Sequence, residues 1–551
     1  MDRRTMLTAL TGRRAATPAP AAPPDNDTTL APYAGPWGFE QAAHLLRRTM
    51  FAPRLAQIKT AVAQGLDATL AQLFQELPMP DPPVNYLSNN DPFVPLGDTW
   101  VDAPYSRTIN LRNPRHRSLR AWTMGLLLAE GVSIRERMTL FWHNHFATNN
   151  VNDPKYLYRH ISLLRANAWG NFRELVKAIT IDPTMLRFLN GNENTRVAPN
   201  ENYARELLEL FTIGKGEQVG PGDYSTFTEQ DVAEMARVLT GWRDRGFNAY
   251  EEVPIEAFFV PNRHDTGAKQ LSHRFDNEVI SNMGNQEYAH LVDVIFRQPE
   301  VARHICRKLY RWFVYYKIDE TVEANVIEPM AQLLIASNFE MRPVLEALLR
   351  SEHFFDVLSM GPVIKNPLDF VVSAVKTFDF DFPDNYRLQY EAWWRIFLQT
   401  PAMQMEYFNP PEVAGWKAYY QEPVFYRTWI NAATLPKRMS FTDTLIINGL
   451  QAGNERLRLD ALKFIKTIDD PYDPNAVVES FARILLPRPL TDNQLAQLKE
   501  VLIPGLPDYE WGVEYTDYEA NPGNMQLAVA VDAKLRNVIR VLLSIPEFYL
   551  S

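Results

Sequence analysis

The sequence predicts a mainly helical protein, a large multi-helix orthogonal array with a small β hairpin near residues 257–271. Apolar residues recur every three or four positions along most of the chain, which is the period of an amphipathic helix. Only one stretch, Ala257 to Leu271, has the character of short paired strands. Apolar residues make up 46% of the 551 residues, and aromatic residues 12%, so the helices have a sizeable core to bury.

The first half of the chain is predicted as a series of helices with one long loop. Helical spacing predicts a helix from Phe39 to Phe51 and a second one from Arg54 to Phe74. The stretch Leu77 to Asn113 is rich in Pro, Asn and Asp and is typical of a loop. Thr228 to Asp231 has the sequence of a capping box, which opens another helix. Further helices are predicted at 118–130, 134–145, 156–167, 172–179 and between 287 and 355.

A second half begins near Gly361. The pattern predicts helices over 367–378, 447–462 and 474–485, with an aromatic, proline-rich loop around 409–416. We therefore expect three parts in the chain. Residues 1–36 would be a signal and a Pro-Ala spacer, 37–360 the main helical domain with the candidate site, and 361–551 a C-terminal helical region packed on the first.

The N-terminus has the pattern of an export signal. Arg3-Arg4 precedes a short apolar segment, as in twin-arginine signals, and Ala15 to Pro24 is typical of a disordered spacer. The apolar segment is shorter than usual, because Arg13-Arg14 interrupts it. We expect a periplasmic or extracellular protein, with a cytoplasmic protein carrying a basic tail as the alternative.

Composition argues against several classes of protein. The net charge is −10, with both signs interspersed, which argues against a nucleic-acid partner. No apolar run reaches the roughly 18 residues that a membrane-spanning helix needs. The single cysteine, Cys306, excludes an internal disulfide and any four-cysteine metal site.

Three polar segments interrupt the apolar pattern and predict one convergent site. The longest is Asn200 to Gly214, the second is Phe141 to Phe146, and the third is Arg263 to Lys269. In the longest segment, a regular helix would place four polar residues on one face, Asn202, Arg205, Glu206 and Glu209.

His143 and His145 are candidate metal ligands. A regular helix points residues two positions apart in different directions, so both rings could bind one ion only where the helix ends. Thr148 to Asn150 favours such an ending. Together with a carboxylate from Glu206 or Glu209 they would suit one divalent metal such as zinc, iron or manganese. The alternative is a pair of buried histidines that only form hydrogen bonds.

The candidate catalytic residues are Glu206, Glu209, His264 and Asp265. Two glutamates one helical turn apart could take different pKa values and divide acid and base roles, as glycoside cleavage requires. The adjacent histidine and aspartate could act as a general base and its orienting partner. The alternatives are a structural network of ion pairs and a turn capped by the aspartate. The expected substrate-binding residues are Asn202, Arg205, Lys269 and Trp416.

Seven segments carry a resemblance to a known family. They occur in this order: AAHLLRRTMF, RERMTLFWHNHFATN, NENYARELLELFTIG, TEQDVAEMARVLTGW, RHDTGAK, ICRKLYRWFV and NPPEVAGW. On these segments the chain resembles the bacterial family catalogued as domain of unknown function 1800, from about Trp37 to its end. The resemblance implies a mostly helical protein, often exported by the twin-arginine route. It also implies a possible partner, because such proteins are often encoded beside an alkaline-phosphatase-like or sulfatase-like protein.

Three functions stay open at this point. The favoured one is an exported hydrolase that acts on a glycan or cell-envelope polymer through the four candidate catalytic residues. The second is a non-catalytic binding or assembly partner of an alkaline-phosphatase-like or sulfatase-like protein. The third is a metal-dependent oxidoreductase, which needs His143 and His145 to converge with a carboxylate.

Overall fold

The computed structural model describes residues 29–551, so the twin-arginine pattern and the Pro-Ala spacer lie outside the described residues. Helices dominate this range. The α-helices are α1 (Phe39–Thr49), α2 (Leu55–Leu73), α3 (Arg112–Ala129), α4 (Arg135–His145), α5 (Pro154–Ala166), α6 (Phe172–Thr180), α7 (Pro183–Phe188), α8 (Glu201–Glu206), α9 (Glu229–Val238), α10 (Glu287–Ile295), α11 (Pro299–Phe313), α12 (Glu320–Val322), α13 (Glu328–Ala336), α14 (Met341–Arg350), α15 (Glu352–Phe355), α16 (Pro367–Lys376), α17 (Tyr386–Phe397), α18 (Gln399–Ala402), α19 (Thr434–Asp443), α20 (Ala461–Ile465), α21 (Pro474–Leu485), α22 (Asp492–Leu502), α23 (Asp508–Ala520) and α24 (Met525–Leu542).

Shorter helical turns fill several connections. Leu207–Phe211, Glu323–Ile327 and Thr444–Asn448 are π-helical. The 3-10 turns are Gly191–Glu193, Pro261–Arg263, His273–Phe275, Gly284–Gln286, Lys417–Tyr419, Phe425–Trp429 and Pro546–Tyr549.

The strands are short and form separate two-stranded antiparallel sheets. The pairs are β1 (Gln218–Gly220) with β2 (Asp223–Tyr224), β3 (Trp242–Arg245) with β4 (Glu256–Phe259), β5 (Lys269–Gln270) with β6 (Val279–Ile280), and β7 (Leu450–Ala452) with β8 (Glu455–Leu457). The fold is therefore mainly helical, as the sequence predicts. The strand residues within 257–271 do not pair with each other, however. β4 pairs with β3, where the rings of Trp242 and Phe259 pack 5.5 Å apart, and β5 pairs with β6.

The prediction of one helix over 447–462 is wrong. The chain forms a π-helical turn, the β7–β8 hairpin and only then α20. Gly449 and Gly453 have positive φ values of 73° and 58°, which glycine adopts without strain and which do not occur within an α-helix. The apolar spacing there comes from Ala452 and Leu457, which are buried on the hairpin.

Local sequence explains where several helices begin. An Asp or Asn cap followed by proline opens α5, α7, α16 and α21. The cap accepts a backbone N–H, and a proline at the first helical position has no N–H to satisfy. The predicted capping box at the start of α9 is present, because Thr228 and Asp231 each accept the other's backbone N–H.

Residues on both sides of position 360 share one hydrophobic core. α17 packs along α3, and Gly125 permits the close approach, since a Cβ there would lie 2.7 Å from the Trp393 ring. An ion pair between Arg120 of α3 and Glu406 (2.8 Å) also joins the two halves of the chain. A site at this contact can therefore draw residues from both halves. Within residues 29–551, no helix is long and apolar enough to cross a membrane.

Candidate functional site

The two predicted metal-ligand histidines lie near the end of α4 and contact different neighbours. His143 Nε2 accepts a hydrogen bond from the backbone N–H of Phe408 (3.0 Å). His145 Nε2 donates to the carbonyl of Phe211 (3.1 Å), and its Nδ1 accepts from the ammonium group of Lys308 (3.1 Å). Burial lowers the pKa of His143 to about 3, so its ring is neutral at physiological pH. The structure thus gives each ring its own hydrogen-bonding partners.

The structure does not bring the two histidines together with a carboxylate. Among the described residues, no group of three or more histidine, cysteine or acidic side chains could hold a metal ion. Asn144 lies between the two histidines in the sequence, and its Oδ1 accepts a hydrogen bond from the backbone N–H of Trp416 (2.9 Å). The Trp416 ring is itself buried at 2% exposure, with its centroid 5.8 Å from that of His143, so it offers no free face to a ligand. The segment from His143 to His145 therefore holds other parts of the chain in place through hydrogen bonds.

The longest polar segment forms α8 and continues as a π-helical turn rather than as one regular helix. Arg205 makes a bidentate ion pair with Glu229 (2.6 and 2.8 Å), whose hydrogen bonds raise the pKa of Arg205. Glu209 forms an ion pair with Lys215 (2.9 Å). The side chain of Glu206 is half-buried, and it forms no hydrogen bond or ion pair with a described residue. Burial raises the pKa of Glu206, and the charge of Glu209 raises it further.

The third polar segment contains a closed cluster. His264 Nδ1 donates to the carbonyl of Thr240 (2.9 Å), and its Nε2 lies 3.1 Å from a carboxylate oxygen of Glu287. Lys269 forms an ion pair with the other oxygen of Glu287. The side chains of His264, Lys269 and Glu287 are at most 2% exposed, so solvent does not reach them.

Helix α9 connects the longest polar segment, which contains the two glutamates, to the third. Glu229 at its start binds Arg205, and Arg237 near its end binds Asp265 (2.8 Å), which lowers the pKa of Asp265. These ion pairs are about 12 Å apart along the helix. No hydrogen bond or ion pair among the described residues joins the two glutamates to the His-Asp pair, and Asn202 is exposed. The three segments are thus neighbours that have mostly separate partners.

A different set of residues surrounds a small cavity where the two halves meet. Its charged lining comes from α1, α4, α11 and α16 and consists of Arg47, Arg48, Arg137, Arg311 and Asp369. An adjoining cavity shares Arg47 and Asp369 and adds Lys365. We call these two spaces together the arginine cavity. Their volumes are about 30 and 20 Å³, so each has room for only about one or two water-sized groups.

Arg47 and Arg48 satisfy the ends of two different helices. Arg48 donates to the carbonyls of Phe313 (2.9 Å) and its two neighbours at the end of α11. Arg47 donates to the carbonyls of Arg483 (3.1 Å) and Ile484 (2.8 Å) at the end of α21. Helix ends leave such carbonyls without intrahelical partners. Neither arginine forms an ion pair with an acidic side chain in the part of the chain that the structure describes.

The one acidic side chain that the described residues contribute to the cavity already has partners. Asp369 forms a bidentate ion pair with Arg137 (2.6 and 2.9 Å). Its second oxygen also accepts from the side-chain amide of Asn366 (2.7 Å), which in turn accepts the backbone N–H of Asp369 as the cap of α16. The phenol of Tyr419 lies 3.1 Å from the same amide nitrogen. The charge of Asp369 is therefore directed at Arg137, and the other cations have no comparable partner.

Burial depresses the pKa values of several cations around the cavity. It lowers the pKa of Arg47, Arg48 and Arg438 to about 10, and that of Lys365 to about 7. Arg438 is fully buried and donates to the carbonyl of Lys365 (2.9 Å), while its Nε and Nη1 have no hydrogen-bond partner among the described residues. Lys365 Nζ donates to the carbonyl of Phe548 (2.9 Å). The arginines stay charged at neutral pH, and Lys365 titrates there.

Charge balance makes the arginine cavity the candidate functional site. Within the described residues its lining has one acidic side chain and five basic ones: Arg48, Arg137 and Lys365 are buried, and Arg47 and Arg311 are partly exposed. Buried charges in proteins are almost always paired, because an unpaired one loses its hydration without compensation. A small anion in the cavity would supply that compensation. The planar guanidinium group suits carboxylate, phosphate and sulfate oxygens in particular.

Sequence reasoning missed these arginines because it looked for polar segments. Arg47 and Arg48 follow the buried residues Leu45 and Leu46 in the amphipathic helix α1, and Arg311 lies between Tyr310 and Trp312 in α11. An arginine within a run of buried apolar residues was the available signal, since such a side chain needs a partner in the core. The sequence did not reveal that these helices meet.

The comparisons with known proteins give a family and no named relative. The chain matches the family model described as "Protein of unknown function (DUF1800)" over residues 44–550. No curated protein and no solved structure matches the chain. The match includes every segment that contributes a charged side chain to the arginine cavity. The chain therefore belongs to the DUF1800 family of proteins of unknown function.

Proposed function

We propose that the protein binds a small oxyanion in the arginine cavity. The observation that carries the proposal is the excess of cations there, buried at Arg48, Arg137 and Lys365 and partly exposed at Arg47 and Arg311, with Asp369 as the one acidic side chain of the described lining. Asp369 is already paired with Arg137. A bound anion would neutralise charge that the side chains of the lining leave uncompensated, and this gain is the source of affinity.

The size of the cavity limits the ligand. Volumes of about 30 and 20 Å³ exclude a sugar ring or a peptide segment and leave space for no more than one small anionic group. The ligand is therefore free sulfate or phosphate, or a sulfate, phosphate or carboxylate group of a larger molecule. This role is closest to the binding-protein alternative. Phosphatases and sulfatases release these anions, so an oxyanion-binding protein would suit an alkaline-phosphatase-like or sulfatase-like partner.

Calorimetric titration of the full chain with sodium sulfate tests the proposal. Arg311→Gln removes one cation from the lining, and Arg303→Gln is a matched control on the same helix, because Arg303 pairs with Glu328 at the surface. A lost charge-assisted hydrogen bond costs about 1.5–3 kcal/mol, so Arg311→Gln should weaken binding at least about tenfold. Arg303→Gln should bind as the parent does. Absence of sulfate and phosphate binding at millimolar concentration, or equal binding by both variants, would overturn the proposal.

A second candidate function is hydrolysis of a glycan or envelope polymer at Glu206 and Glu209. Support comes from the raised pKa of Glu206, its lack of an ion pair and the π-helical turn that follows it. π-Helical turns are frequent at functional sites. Release of soluble sugar from purified cell-wall polymer should be lost in Glu206→Gln and kept in Glu201→Gln, an exposed position on the same helix. Equal release by both variants, or none from the parent, would exclude this role.

Export to the periplasm or beyond the cell stays a prediction from the sequence. The twin-arginine-like pattern falls within residues 1–28, which the structure does not describe. Fractionation of cells that carry the chain with Arg3-Arg4 or with Lys-Lys in their place would test it. Twin-arginine export predicts loss of the periplasmic protein in the Lys-Lys variant.

A further inference from the structure

An open cleft lies on the opposite side of α3 from its buried face. Its volume is about 670 Å³, which falls in the range of small-molecule sites, about 300–1,000 Å³. Five parts of the chain line it: α3, the loop after α4, α5, α17 and the loop before Pro410. The arginine cavity has none of these lining residues, so the cleft is a separate space.

The cleft is polar but carries little net charge. Its two arginines already have partners, because Arg117 forms an ion pair with Glu391 and Arg120 forms one with Glu406 (2.8 Å). No Asp, Glu or Lys side chain lines the cleft within the described residues. An ionic ligand would therefore gain little here, in contrast to the arginine cavity.

The remaining polar groups are neutral donors and acceptors. Burial lowers the pKa of His116 to about 4, so its ring is neutral, and its Nε2 donates to Asn152 Oδ1 (2.9 Å). His116 Nδ1 then remains as an acceptor. The side-chain amide of Asn113 has no hydrogen bond to a described residue. Asn409 uses its NH₂ group for Glu406 (3.3 Å), and its oxygen stays available.

The backbone beside the cleft is held in a strained conformation. Phe408 has a φ of 71°, which is unfavourable for a bulky side chain, and such a residue costs about 1–3 kcal/mol. Its backbone N–H donates to the buried His143 Nε2 (3.0 Å), which holds the conformation in place. Strain of this kind is concentrated at ligand-binding sites. Here it places Phe408 and Asn409 together on the wall of the cleft.

We infer that this cleft binds a neutral saccharide. A sugar hydroxyl both donates and accepts hydrogen bonds, and it matches a wall of amides, a neutral imidazole and paired guanidinium groups. The half-buried Trp394 adds apolar surface for the C–H face of a sugar ring. A phosphorylated or acidic ligand would find no unpaired cation among the described residues that line this cleft. The inference does not depend on the oxyanion proposal, because the two sites share no lining residue.

A printed array of neutral and acidic saccharides, probed with the full chain, is the first experiment. The strongest neutral hit is then titrated by calorimetry against the parent, Asn113→Ala/Asn409→Ala and the control Asn89→Ala. Asn113 and Asn409 are exposed, as is Asn89, so all three positions should tolerate the change. We expect binding at millimolar concentration or better, a loss of about tenfold or more in the double variant from two missing hydrogen bonds, and none in the control.

Three results would overturn the inference: no neutral saccharide binds, only acidic saccharides bind, or the double variant binds as the parent does. The sulfate titration of the same double variant separates the two proposals. Sulfate binding should be unchanged in it, since the arginine cavity is intact, and this also shows that the variant is folded.

Discussion

Removal of the negative charge of Asp369 is the sharpest test of the charge balance in the arginine cavity. Asp369→Asn keeps the shape of the side chain and leaves Arg137 with no carboxylate. The side chains of the pair are 14% and 6% exposed, so their charges are largely desolvated. Loss of one partner of a buried pair costs about 3–5 kcal/mol. We expect the lower end, about 3 kcal/mol, because the Asn oxygen still accepts one hydrogen bond.

The expected shift in Tm follows from the length of the chain. At about 2.1 cal/mol/K per residue, a chain of 551 residues that unfolds as one unit has an unfolding entropy of about 1.2 kcal/mol/K. A loss of about 3 kcal/mol therefore lowers Tm by about 2 to 3 °C. Differential scanning calorimetry in chloride buffer measures it. The control is Asp469→Asn, whose partner Lys59 is at the surface, and we expect no resolvable shift there.

The effect of sulfate on Tm is a second test of the charge balance in the arginine cavity. If the cavity needs negative charge, sulfate should raise the Tm of Asp369→Asn more than that of the parent, because it replaces the missing carboxylate. At ten times its Kd, a ligand adds about 1.4 kcal/mol. A variant with the parental Tm in chloride, or one that sulfate does not stabilise, would refute the idea that the buried cations need an anion.

Three further predictions concern the same loops and cavities. Sulfate affinity should fall as pH rises through the pKa of Lys365, about 7, because only the protonated ammonium group attracts the anion. Calorimetric titration should find no such fall in the Lys365→Met variant. Gly415→Ala should lower Tm more than Gly65→Ala: both have φ near 86°, but only at Gly415 would a Cβ lie 2.5 Å from the Asn144 carbonyl. His143→Phe should leave a buried N–H unpaired, at a cost of about 1–3 kcal/mol in thermal unfolding, and should weaken saccharide binding.

Local signals in the sequence were sufficient for most helices but not for the site. α21 has its predicted bounds, because the Asp473-Pro474 start and the apolar face are both local. The helix predicted over 447–462 failed at two glycines whose positive φ only the hairpin reveals. The cavity depends on contacts between distant segments, since Arg48 reaches the end of α11 and Arg47 the end of α21. No periodicity in the sequence encodes such a contact.

The His143-to-His145 segment holds part of the second half of the chain in place. His143 and Asn144 hold two points of one loop, the backbone N–H groups of Phe408 and Trp416. The first of these points lies on the wall of the cleft, and the second leads into the 3-10 turns that line the arginine cavity. A neutral, buried imidazole suits such an anchor, because it can accept an N–H without adding charge to a region already rich in cations. In our proposals His143 and Asn144 position the sites, while arginines and asparagines contact the ligands.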